Sequence, residues 1–111
     1  MIEAEFLRFE ESLVGFQISG HANSGPFSKD IVCAAVSSAT MLTVNIITDY
    51  LFAPADAKDK GNKIMLVLRE PGSAMCIAAK QVIKGFYDHL QILSEDYKGK
   101  IRITVRDMKG R

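Results

Sequence analysis

The sequence predicts an α+β protein, a two-layer sandwich of order ββαβαβ in which two long helices cover a four-stranded sheet. Three patterns predict it. Apolar and polar residues alternate over 2–9 and 101–106, as in strands with one wet face. A stripe at helical spacing runs from Met75 to Tyr97. The eighteen residues from Ile31 to Thr48 carry no charge, which suits a helix buried between other elements.

The first twenty residues form a hairpin. Glu10-Glu11-Ser12 is its polar turn, and Val14, Phe16 and Ile18 mark one face of the second strand. Gly15 inside that strand signals a bulge or a close backbone approach. From His21 to Ser28 the chain is a loop of small residues with Gly25 and Pro26. A long helix follows, capped by Ser28 or Asp30 and running to about Phe52. Residues 53–62 make a polar connection, and the unbroken apolar run Ile64 to Leu68 fits a strand covered on both faces.

Pro71-Gly72-Ser73 turns the chain, with Ser73 as the cap of the second helix. Met75, Ala79, Val82, Phe86, Leu90, Leu93 and Tyr97 form its apolar stripe, with Lys80, Lys84, Asp88, Gln91 and Glu95 opposite. Gly85 within it points to a close crossing of another element, His89 to the surface and Cys76 to the core. Gly99 ends the helix, and Ile101, Ile103 and Val105 alternate with charged and polar residues in a last, half-exposed strand.

A length of 111 residues suits one domain with one core. Fourteen basic and thirteen acidic residues leave a formal charge of +1, without the basic excess of a nucleic-acid or membrane-surface module. The uncharged stretch reaches transmembrane length, but six Ser, Thr and Asn residues make a third of it polar, and no membrane span is expected. The opening Met1-Ile2-Glu3-Ala4-Glu5 lacks the basic start of a secretory signal, so a cytoplasmic location with reduced thiols is expected. Cys33 and Cys76 are 43 positions apart with no close-spaced pair, and no HExxH occurs, so no zinc site is expected.

The segment that could carry chemistry is Gly20 to Ser37, GHANSGPFSKDIVCAAVS. It sets a histidine at a strand end and, beyond the loop, a cysteine near the start of a helix. A thiol there lies in the positive field of the helix N-terminus. Asp30 and Ser37 flank Cys33 at helical spacings of three and four, and His21 is twelve residues upstream, within reach if the loop folds back. Cysteine, histidine and a carboxylate are the parts of a cysteine nucleophile with its base and orienting group. Taken by spacing alone, the same residues also fit an inert buried cysteine, a helix-start aspartate, a packing serine and a turn histidine.

Gly20-His21-Ala22, a glycine-containing loop and then Asp30-Ile31-Val32-Cys33-Ala34-Ala35-Val36-Ser37 closely resemble the bacterial ribosomal-processing cysteine protease family, Prp, and the likeness runs the length of the chain. The resemblance implies that Cys33 is the nucleophile and His21 the general base and later acid. Asp30 would orient the site and Ser37 would lie near the sulfur. Gly20 would bring His21 close, and Gly25 would help the loop move. The implied reaction removes a short N-terminal extension, rich in apolar and aromatic residues, from the large-subunit ribosomal protein numbered twenty-seven. The resemblance also implies a homodimer without metal or organic cofactor. Ser28 stands where family members commonly have a second glycine before the aspartate, a departure that bears on the loop more than on the two catalytic residues.

Two other readings compete. A non-catalytic ribosome-associated binding protein would use Cys33 and His21 only for packing and a turn, and would show a basic stripe. A thiol-redox sensor would need Cys76 within about 7 Å of Cys33, between Cα atoms.

Overall fold

The computed structural model describes residues 1–20 and 31–109, and the elements follow from the patterns above with a few displacements. Strands β1 (Ile2–Phe9) and β2 (Ser12–Ser19) form the expected hairpin. Helix α1 (Ile31–Asn45) continues into a π-helical turn, Ile46–Tyr50. Strands β3 (Ala55–Asp59) and β4 (Lys63–Leu68) form a second hairpin. A 3-10 turn, Ala74–Cys76, leads into helix α2 (Ile77–Asp96), and β5 (Ile101–Asp107) follows. The sheet order is β3-β4-β2-β1-β5, antiparallel throughout except for the β1–β5 pair.

The sheet therefore has five strands, one more than expected. The added one is β3, inside the stretch read as a polar connection. Ala-Asp-Ala-Lys-Asp has little β-propensity, and all but Ala55 of its residues are exposed. The two-residue turn Gly61-Asn62, with Gly61 at φ +85°, is the signal that locates it. Strand β4 is covered on one face: Ile64, Leu66 and Leu68 are buried, while Met65 and Val67 are half-buried on the open face.

The core lies between the sheet and the two helices. Phe6 of β1, Phe16 of β2 and Phe86 of α2 form a ring cluster with centroid separations of 5.0–6.0 Å, and Tyr87 meets Phe6 edge-on at 5.1 Å. Gly15 satisfies both readings of its position. A β-bulge adjoins its pairing with Leu7, and a Cβ there would lie 2.6 Å from the Leu66 carbonyl oxygen of β4.

The α2 stripe holds at its centre and fails at its ends. Ala79, Phe86 and Leu90 are buried, joined by Ile83, but Met75 is 59% exposed and Tyr97 lies beyond the last turn. The 3-10 turn changes the helical phase, so Cys76 rather than Met75 points inward, completely buried as expected. Ser73 stands at the N-cap position of that turn, but its hydroxyl caps nothing; Ser73 Oγ is buried without a partner. Gly85 faces open space, so no crossing element explains it, and His89 is exposed.

Helix α1 is buried on one side only. Val32, Val36, Thr40, Thr43 and, in the π turn, Ile47 face the core. The two buried threonines donate to carbonyls one turn back, Thr40 to Val36 at 2.7 Å and Thr43 to Ala39 at 2.8 Å, which makes hydroxyls tolerable there. Ile31 and Leu42 are exposed, so the helix is not enclosed between other elements. By length and composition alone Ile31–Tyr50 could cross a membrane, but its Val32, Val36, Thr40, Thr43 and Ile47 are buried against the fold, as in a core helix. Both possible caps of α1, Ser28 and Asp30, lie outside the described residues.

Candidate active site

Strand β2 ends at Ser19, beside Lys63 of β4 and Glu3 of β1. Gly20 then turns the chain out of the sheet at φ +86°, a conformation that suits glycine. A Cβ at Gly20 would meet the Met1 carbonyl oxygen at 2.7 Å, and the Gly20 N–H donates to the Asn62 carbonyl at 3.4 Å. The point where the chain leaves for His21 is thus fixed by backbone on two sides. His21, Gly25, Ser28 and Asp30 themselves lie outside the described residues.

On the far side of that segment, α1 begins at the same end of the sheet and runs toward the end where β3 starts. Helix α2 runs the opposite way, from Ser73 beyond β4 to the start of β5. Each cysteine is near the start of its own helical segment, so Cys33 and Cys76 sit at opposite ends of the helix layer. Both are free thiols. The redox-pair reading loses its geometric basis.

Cys33 is half-buried and packs against the core, and Ser37 is half-buried one turn later on the same flank. The flank facing α2 is a different one. Ala35, Ser38, Ala39, Leu42 and Thr43 line a groove of about 440 Å³ with Phe86 and His89 of α2. Cys33 and Ala35 are about 200° apart around the helix axis. Cys33 and Ser37 therefore look away from α2, toward the β4–β3 side of the sheet. Spacing gave the pairing of Cys33 with Ser37; the direction of their flank depends on where α2 packs, which no local pattern encodes.

A half-buried thiol in the first turn of a helix, on a rigid two-layer α+β frame, is how enzymes with a cysteine nucleophile present their sulfur. The model of the family described as Cysteine protease Prp matches residues 1–102, and the chain belongs to that family. It is a cysteine protease. The ribosomal processing cysteine protease Prp of Bacillus subtilis (strain 168) is 29% identical over 95% of this chain and 97% of its own length. Among solved structures, a Streptococcus mutans protein superposes with a TM-score of 0.79 at 24% identity, covering 97% of this chain and 99% of that one. The essential ribosomal processing protease Prp of S. aureus, crystallised with a covalently linked product peptide, gives 0.79 at 24% identity over 96% of this chain and all of that one. The same S. aureus enzyme with a substrate peptide gives 0.78 at 23%. These structures establish the shared α+β fold.

Proposed function

We propose that this protease removes the short N-terminal extension of the large-subunit ribosomal protein numbered twenty-seven during ribosome assembly in the bacterial cytoplasm. The observation that carries the reading is the Cys33 thiol in the opening turn of α1, half-buried at the sheet end where β2 hands the chain to His21. The ribosomal-processing name of the Bacillus subtilis relative and the peptides bound by the S. aureus enzyme support the substrate class.

In the proposed mechanism His21 accepts the proton of Cys33, and the thiolate attacks the carbonyl carbon of the scissile bond. Backbone N–H groups at the start of α1 stabilise the oxyanion. Collapse of the intermediate breaks the C–N bond, His21 protonates the departing amine, and a thioester remains on Cys33. Water, deprotonated by His21, hydrolyses the thioester and releases the carboxylate product. Asp30 orients His21, Ser37 lies beside the sulfur, and Gly20 and Gly25 set the path of the loop that closes on the peptide. No metal enters these steps. The enzyme acts as a homodimer, with the exposed side of α1 around Met41 and Leu42 as part of the contact.

The test is intact-mass analysis of the full-length ribosomal protein incubated with the wild type and with Cys33→Ala. One cut by the wild type alone is expected. Equal cutting by both would remove Cys33 from the chemistry, and no cutting by a folded wild type would leave a binding protein instead.

A further inference from the structure

The two outer strands of the sheet are unequal. Strand β5 lies beyond β1, on the side of the sheet that α2 covers. Strand β3 lies on the side toward which Cys33 and Ser37 look. The hairpin register shows which backbone groups β3 keeps free. Lys60 donates to Lys63, and Arg69 donates to Pro54. Those two hydrogen-bonded pairs bracket the ladder and fix its alternation. Asp56 opposite Val67 and Lys58 opposite Met65 then spend their N–H and C=O groups on β4. Ala55, Ala57 and Asp59 turn theirs to the outer edge. Arg69 Nη1 takes the Ala55 carbonyl at 2.9 Å, which agrees with that direction. At Ala57 and Asp59 the outward backbone groups have no partner among the described residues.

The side chains of this edge fit an incoming strand. Ala55 and Ala57 share the helix-side face with the buried Leu68 and Leu66, yet Ala57 is exposed, so nothing among the described residues roofs it. Ala55 and Ala57 thus leave an unroofed strip of small side chains on the helix-side face of β3, with Asp59 at the end of the sheet where β2 stops and α1 begins. Helix α1, on the same side of the sheet, carries no charge from Ile31 to Thr48. Asp56 and Lys58 point to the other face, where they guard the edge without occupying that strip.

We propose that the peptide substrate docks by adding a strand to the free edge of β3, with apolar side chains at alternate positions turned toward α1, and rises at the Asp59 end to present its scissile bond to Cys33. The proposal rests on the protease reading above and adds to it where the non-reacting part of the peptide binds. Main-chain pairing supplies affinity in such additions, and alternate pockets supply selectivity.

The experiment uses a fluorescent synthetic peptide spanning the extension and cut site. Its binding to full-length Cys33→Ala protein is followed by anisotropy, alone and combined with Ala57→Pro or Ala57→Ser. Proline removes the outward N–H but no ladder bond; serine keeps it. At least tenfold weaker binding is expected with proline and less than twofold change with serine. A parallel scan places single backbone N-methyl groups along the peptide, leaving the protein untouched should Ala57→Pro fold poorly. Loss of affinity at every second residue is expected. Unchanged affinity across the scan, or no binding to the Cys33→Ala protein, overturns the edge as the docking site. Alternating loss of affinity in a peptide that the wild type never cuts would leave the edge standing and overturn the protease substrate reading alone.

Discussion

At the scale of single residues, the glycines separate into those the backbone requires and one it does not. Gly15→Ala drives a methyl group into the Leu66 carbonyl and is expected to cost about 1–3 kcal/mol, read as a lower urea midpoint with the slope unchanged. Gly85→Ala fills empty space on an exposed helix position and is expected to stabilise by about 0.5–1 kcal/mol. The sequence announced Gly15 through its place in an alternating strand. Gly85 looks the same as any glycine flanked by helix formers, and only the finished packing shows that nothing crosses it. Ser73 teaches the same point. A serine ahead of a helical stripe reads as a cap, yet its buried hydroxyl has no partner, so Ser73→Ala is expected to leave the melting temperature unchanged or raise it, where loss of a working cap would cost about 1 kcal/mol. Of the candidate site residues, spacing predicts that Cys33 and Ser37 share a helix flank and that Gly20 ends β2, as the structure has them; Cys33 is half-exposed because its flank turns aside from the core that buries Val32.

At the scale of elements, periodicity located the β1–β2 hairpin, the centre of α2 and β5, each of which presents a repeating apolar row. Strand β4 and helix α1 also bury a face, but they read as an unbroken apolar run and an uncharged stretch, patterns that do not show which face is covered. Strand β3 buries almost nothing, so no row exists to find, and its two-residue turn alone marks it. The 3-10 turn before α2 is likewise invisible to a 3.6-residue period. The pairing of β1 with β5 adds ion pairs: Arg102 with Glu3 at 2.9 Å, Arg106 with Glu5 at 3.3 Å, and Arg8 with Asp107 at 2.7 Å. The hydrogen bond from Arg8 holds the Asp107 carboxyl below its ordinary value of 3.8 and raises the Arg8 guanidinium in turn. A depressed carboxyl stabilises the fold above that ordinary value and loses its effect as pH falls through the depressed one. Asp107→Asn is therefore expected to flatten the acid limb of the stability profile below about pH 4, slightly because the pair is solvated, as followed by urea melts across that range.

At the scale of the whole molecule, α1 has two unlike sides. Its core side carries Val32, Val36 and the self-satisfied threonines; its outer side leaves Leu42 62% exposed. A sequence apolar around most of a helix cannot tell which part meets the core and which stays open, and the exposures do. Leu42→Lys is expected to leave the thermal midpoint within a degree or two, because no buried contact is lost, and to convert the proposed dimer to a monomer in sedimentation. The corresponding change at Val36, which is fully buried, is expected to unfold the chain.

The parallel pairing of β1 with β5 sets the first strand beside the last, Ile2 opposite Ile101. Contacts of that separation are slow to find, since nearly the whole chain must be searched before they close. During synthesis β1 leaves the ribosome long before β5, so its outer edge stays unpaired until Ile101–Asp107 is made. A chain stalled short of Ile101 keeps that raw edge, an invitation to pair with another nascent chain.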